Sequence, residues 1–187
     1  MGNSILALNE VLKSRFPAEK LVFGDGSVAA KVVLIGEAPG EKEVEQGKPF
    51  VGKAGKNLDE FLSISGIDRG QLYVTNAVKL RPCKEGKSGR MVNRAPTKEE
   101  IETFRPFLLQ EIALISPAVV VTLGNTPLFA VTGEKLSIGD CHGKMLTWNG
   151  ISLFPMYHPA SVIYNRSLRD IYIEDTKRLG EIIIGHA

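Results

Sequence analysis

Cysteine is nearly missing from this chain, with two in 187 residues, Cys83 and Cys141. Two thiols are too few for a disulfide framework, so this is not the sequence of a stapled secreted scaffold. No run of about 18 apolar residues occurs, which excludes a membrane-spanning helix. The first residues, Met1-Gly-Asn-Ser-Ile-Leu6, lack the basic stretch and apolar core of a secretory leader. Leu6 stands where N-myristoylation wants Ser or Thr. No membrane contact is expected, and the expected location is cytoplasmic. Charge of one sign is lacking too: 23 Lys and Arg oppose 21 Asp and Glu, a net charge of +2. Affinity for nucleic acid must then come from a local basic surface. Repeats, low-complexity tracts and linkers are absent, and at this length one domain over 1–187 is expected. Two nucleotide signatures fail as well. Gly24-Asp25-Gly26 opens a G-x-G-x-x-A pattern, but it precedes a strand where a dinucleotide fingerprint must follow one, and no Gly-Lys-Ser/Thr loop occurs.

What is present is an alternation of short apolar runs and helical patterns. Residues 32–35, 72–76, 118–124 and 151–156 read as strands. Helical spacing appears at 4–16 (Ile5, Leu8, Val11, Leu12), 53–64 (Ala54, Leu58, Phe61, Leu62) and 167–184 (Leu168, Ile171, Leu179). The capping box Thr97-Lys-Glu-Glu100 opens a long helix to Ile115, and Asn125 with Pro127 starts a shorter one. The basic stretch 79–94 reads as irregular. Strands alternating with helices make a parallel sheet covered on both faces. The expected class is α/β, a three-layer α/β/α sandwich around a four-stranded parallel sheet.

In such sheets ligands bind beyond the carboxyl ends of the strands. Three strands here end in chemically distinctive residues, Glu37, Asn76 and His158. Between the first strand and the helix at Lys53 lie Gly36-Glu-Ala-Pro-Gly40 and Gly47-Lys-Pro-Phe50-Val-Gly52-Lys-Ala-Gly55. A loop with a carboxylate one residue past the strand and an aromatic between glycine-rich turns can press its backbone on a flat ligand while a ring covers one face. Each residue also has a plainer reading. Asn76 can satisfy a turn, His158 can be structural, Phe50 can be core, and Glu43 can be a surface carboxylate. Residues 84–94 can be a solvated loop. Asp140-Cys-His142 resembles a metal cluster, but three adjacent residues cannot all face one ion, so no metal is expected.

Four segments taken together, Gly36–Glu43, Gly47–Gly55, Thr75-Asn-Ala-Val-Lys79 and His158-Pro-Ala-Ser161, resemble the uracil-DNA glycosylase superfamily, and within it family 4, the thermophile-type enzymes. The resemblance implies an enzyme that flips uracil out of DNA and hydrolyses its N-glycosidic bond. His158 would then donate to uracil O2, and Glu37 would hold the attacking water. Asn76 would read O4 and N3–H, Phe50 would stack on the base, and Gly36, Ala38 and Glu43 would complete the base site, Glu43 at the C5 edge. Ser161-Val-Ile-Tyr-Asn-Arg166 resembles the intercalating loop, with Ile163 or Tyr164 as wedge. Lys53, Ser161 and Arg166 would meet phosphates. The partner would be uracil-containing DNA, bound by a monomer.

The family pattern breaks in two places. Some branches carry an aspartate where Ala38 stands, leaving water activation to Glu37 or to the substrate. Family 4 holds a [4Fe–4S] cluster on four cysteines, whereas this chain has none before Cys83 and carries Leu80 and Phe104 at the later ligand positions. No cofactor is expected, with Leu80 and Phe104 forming an apolar plug. An Arg-Arg-Ile-His-like segment for covalent capture of abasic DNA is missing, so that chemistry is not expected. Two alternatives stay open: a catalytically silent nucleic-acid-binding module of the same fold, and a small-molecule nucleoside hydrolase, which the wedge loop opposes.

Overall fold

The four apolar runs pair in parallel, as their alternation with helices requires. The computed structural model describes residues 4–185. In it, β2 (Val32–Gly36), β3 (Leu72–Asn76), β6 (Val119–Leu123) and β8 (Ile151–Met156) form the parallel centre of one sheet. Two short strands, β1 (Asp25–Gly26) and β7 (Leu146–Trp148), add antiparallel edges, giving the order β1-β3-β2-β6-β8-β7. The sheet is therefore six-stranded, with the expected four parallel strands inside it. Strands of two or three residues have no measurable period, which is why both edges were illegible in sequence.

Alternate residues of the central strands feed two cores. Val33, Ile35, Tyr73, Val120 and Leu153 face one side, under α1 (Ile5–Arg15), α4 (Lys98–Ile115) and α5 (Asn125–Thr132). Val32, Leu34, Val74, Val121 and Phe154 face the other, under α3 (Lys53–Ile64) and α8 (Leu168–Gly185). The Thr97 capping box forms: its hydroxyl accepts from Glu100 N, and the Glu100 carboxylate accepts from Thr97 N. Asn125 does not cap α5. Gly124 holds that position at a positive φ of +99°, and the Asn125 amide oxygen accepts instead from Ile138 N.

Four further elements carried no sequence signal: α2 (Glu41–Gln46), α6 (Ile138–Cys141), α7 (Ser161–Tyr164), and the hairpin of β4 (Cys83–Glu85) with β5 (Met91–Asn93). The stretch read as irregular is thus partly ordered. Its turn closes through Gly86 N donating to Arg90 O, with Gly89 at positive φ.

Behind the end of β3 lies a buried ionic cluster. Lys79 Nζ donates to Glu111 Oε2 at 2.6 Å, to Thr75 Oγ1 at 2.5 Å and to the Asn76 carbonyl at 2.9 Å. The Tyr73 hydroxyl donates to the other Glu111 oxygen at 2.8 Å. Both charged side chains are almost wholly sealed from solvent. Removing one partner leaves an uncompensated buried charge, whereas replacing both by apolar groups does not. Lys79→Met alone is expected to cost about 3–5 kcal/mol, and Lys79→Met/Glu111→Leu to recover most of it. Urea denaturation of the two variants checks this.

Candidate active site

Parallel pairing brings the carboxyl ends of the four central strands to one edge. Gly36 is registered against Asn76 across β2 and β3, and Gly124 N donates to Met156 O at the ends of β6 and β8. A cavity of about 280 Å³ opens there, at the small end of the ligand-pocket range. Its walls include Ala38, Glu43, Phe50, Lys53, Asn76 and His158, with Ile163 and Tyr164 at the rim. A larger hollow of about 470 Å³ lies between Ile101, Phe129 and Leu136, but none of the strand-end residues reaches it.

Phe50 is buried, with φ of +54°, a left-handed backbone that a bulky residue adopts only when its surroundings hold it. Arg69 supplies one restraint, donating to the Phe50 carbonyl at 3.2 Å and the Pro49 carbonyl at 3.0 Å while paired with Asp59. Glu43 supplies the other. Its carboxylate accepts from Gly52 N at 2.7 Å, Val51 N at 3.0 Å and Gly40 N at 3.1 Å. Both readings of Glu43 are therefore incomplete. It is neither a free surface carboxylate nor a free wall, but the strut between the two glycine-rich turns. Gly36 serves by what it lacks: a Cβ there would run into the Phe50 ring and lie 2.5 Å from Asn76 Oδ1. The Phe50 ring belongs to the α3-side core and also lies 6.2 Å from the His158 ring across the cavity.

Asn76 is 3% exposed, and its amide makes no hydrogen bond with the described residues. The amide lines the cavity, so its donor and acceptor are open to whatever occupies that space. His158 is oriented by Ala160 N, which donates to Nδ1 at 3.1 Å. That bond makes Nδ1 the acceptor and puts the proton on Nε2, which is then the donor. Asn57 on α3 ties the same turn by donating to the Pro159 carbonyl. Burial pushes the imidazole down from its ordinary 6.5 to about 4, so it is neutral at physiological pH.

Not every expected residue reaches the cavity. Glu37 is turned toward α5, where Thr126 Oγ1 donates to it at 2.6 Å, beside the cavity wall at Ala38. Gly36 lies behind the Phe50 ring, and Ser161 and Arg166 stand outside the lining. Lys53 lies in the wall at the first position of α3, and Tyr164 is 88% exposed at the rim. Three contributors went unnoticed in sequence. Asn93 of β5 lines the cavity, Thr126 fixes Glu37, and Lys79 holds the Asn76 backbone from behind. Asn93 and Thr126 arrive from distant parts of the chain, whereas Lys79 reaches back only three residues, and its role was hidden because its charge is balanced by Glu111 across the core.

The cluster implied by the resemblance needs four thiolates. Cys83 opens the hairpin, and Cys141 Sγ donates to the Ser137 carbonyl. Leu80 and Phe104 pack in the α4-side core, where Phe16 stacks on Phe104 at 4.9 Å. No group of three or more His, Cys, Asp or Glu able to hold a metal occurs among the described residues. These residues do not fit the cluster.

Because His158 binds its proton near 4 when folded and near 6.5 when unfolded, the unfolded state holds more protons between those values. This contribution leaves stability unaffected above about 6.5 and lowers it progressively as pH falls toward 4. Denaturation midpoints of the native protein and His158→Gln should therefore diverge across that window, the native protein losing more.

Comparison with known proteins gives the family and the fold. A model of the uracil DNA glycosylase superfamily matches residues 23–178. The chain is 40% identical over 170 residues to the type-4 uracil-DNA glycosylase of Sulfurisphaera tokodaii, covering 86% of this chain and 74% of that one. It is 41% identical over 167 residues to the type-4 uracil-DNA glycosylase of Thermotoga maritima, covering 87% and 83%. The crystal structure of wild-type Pedobacter heparinus SMUG2 superposes with a TM-score of 0.61 at 12% identity, over 98% of this chain and 84% of that one, and so shares the fold. With the superfamily model matching most of its length and four-tenths of its residues in common with such relatives, the chain belongs to the uracil DNA glycosylase superfamily, on the type-4 branch.

Proposed function

We propose that the protein is a monofunctional uracil-DNA glycosylase, which extrudes uracil from DNA and hydrolyses its N-glycosidic bond. One observation carries the reading: the Asn76 amide, without a side-chain partner among the described residues, and an oriented His158 line one base-sized cavity. The amide can donate to O4 of uracil and accept from N3–H. Cytosine presents the opposite polarity at both atoms, and each mismatched buried group costs about 1–3 kcal/mol. Phe50 stacks on the base, a contact worth about 1–3 kcal/mol.

As the bond between C1′ and N1 breaks, its electron pair passes to the uracil and charge collects on O2, while the sugar becomes oxocarbenium-like. His158 donates to O2. A neutral imidazole does this without first having to be charged in a buried site. Water then adds its hydroxide to C1′, and the remaining proton neutralises the uracil anion. Glu37, held by Thr126 beside the cavity wall, offsets the positive sugar through its charge and reaches the water only from that edge. Glu43 acts chiefly through the turns it braces, setting the C5 edge by shape. Ile163 and Tyr164 are the wedge that fills the vacated stack. Lys53, Ser161 and Arg166 serve the phosphates around it.

The protein works as a cytoplasmic monomer without an iron–sulfur cluster; the apolar packing of Leu80, Phe104 and Phe16 supports the last point. The described residues contain no helix long and apolar enough to cross a membrane.

Cleavage of a uracil-containing oligonucleotide tests the chemistry. His158→Ala should lower the single-turnover rate by about 10²–10³, as loss of one oxyanion donor does. Asn76→Asp should lose uracil selectively, and equal cutting by native protein and His158→Ala rules out the imidazole's role. Purified aerobically and anaerobically, the protein should be colourless and contain no stoichiometric iron. A visible thiolate-to-iron band rejects the cofactor-free reading.

A further inference from the structure

We propose that the β4–β5 hairpin is a second DNA-binding element, gripping the phosphate backbone beside the extruded base. This rests on the glycosylase reading of the cavity. Residues 81–94 hold five Lys and Arg and one Glu, net +4, while the whole chain is only +2. The remainder of the protein is therefore net negative, and this segment is a local excess of positive charge toward a polyanion.

The segment divides its cations between two tasks. At the root, Arg94 forks onto the Glu100 carboxylate with two bonds of 2.7 Å and also donates to the Cys83 carbonyl. Arg81 donates to Asn93 Oδ1 at 2.7 Å and to Glu41 at 3.3 Å. These bonds brace the hairpin against α2 and α4. Lys84, Lys87 and Arg90, by contrast, are exposed, and their side chains make no hydrogen bond or ion pair with the described residues. A rigid base carrying uncommitted cations suits a backbone-contacting finger better than a solvated loop does.

Placement points the same way. Asn93 lines the cavity, and residues two apart on a strand share a face, so Met91 stands on that face further out from the base site. It is 50% exposed, whereas Val92 and its cross-strand partner Lys84 stand on the other face, and Lys87 and Arg90 lie at the turn between the strands. The wedge residues Ile163 and Tyr164 border the same cavity from a different element. The hairpin and the α7 turn thus bracket the point where a nucleotide would leave the duplex.

The test compares native protein, the triple variant Lys84→Gln/Lys87→Gln/Arg90→Gln, and Lys31→Gln, whose charge lies at the amino edge of the sheet, opposite the cavity. Binding to a uracil-free duplex is read by fluorescence anisotropy across a salt series, and turnover on a uracil duplex at saturation. The triple variant should bind more weakly, with its log–log salt slope reduced by about 2–3, since each phosphate contact contributes about 0.9. Its saturated rate should be retained, and Lys31→Gln should match native protein in both. An unchanged slope in the triple variant overturns the proposal, as does an equal loss per charge in Lys31→Gln. The binding arm needs no turnover. A native protein that binds duplex but releases no uracil would therefore sink the glycosylase reading while leaving the hairpin's role standing.

Discussion

The pairing of Gly36 with Asn76 across β2 and β3 is the constraint from which the site follows. Parallel strands put their carboxyl ends at one edge, and this register sets the turn after β2 directly beside the turn after β3. The absence of a Cβ at Gly36 then lets the Phe50 ring and the Asn76 amide approach within one base's width of each other. A larger residue would separate the stacking surface from the reading group. The two backbones stay joined past the strands, because Ala77 N and Val78 N donate to the carbonyls of Gly36 and Glu37. The amide is thus presented by main chain that has nowhere else to go.

Three ionic side chains make that presentation rigid, and none needs to touch a substrate. Glu43 collects three backbone N–H groups, Arg69 two carbonyls, and Lys79 the carbonyl of Asn76 itself. A carboxylate accepting several amides, or a cation accepted by several carbonyls, fixes loop geometry more tightly than apolar packing, since each bond is directional and charge-assisted. The strained Phe50 backbone persists because Glu43 and Arg69 hold it from opposite sides. Burial completes the arrangement at His158, where desolvation keeps the ring neutral and the Ala160 N–H selects which nitrogen carries the proton.

A positional division of charge runs through the molecule. Cations committed to carboxylates or carbonyls, such as Arg69, Lys79 and Arg94, build the site, and their fields are largely cancelled by their partners. Three uncommitted cations, Lys84, Lys87 and Arg90, stand on the β4–β5 hairpin, whose Asn93 lines the cavity. A nearly neutral protein can in this way approach a polyanion in one orientation, where a uniformly basic one would bind in many.

Sequence alone determined the alternation of strands and helices, the parallel centre of the sheet, and the strand ends where Asn76 and His158 sit, because apolar period and strand-end position are local properties. The Thr97 capping box was local too, and it forms as read. Tertiary structure decided the rest. The edge strands and the hairpin were too short to show a period, so only pairing with a neighbour defines them. Glu43 read as a surface or base-contacting carboxylate until folding brought residues 51 and 52 to it, and Glu37 read as facing the ligand until Thr126, 89 residues away, took one of its oxygens. A side chain's chemistry can be read from its type, but the partner that occupies it is chosen by chain segments that only the fold brings near.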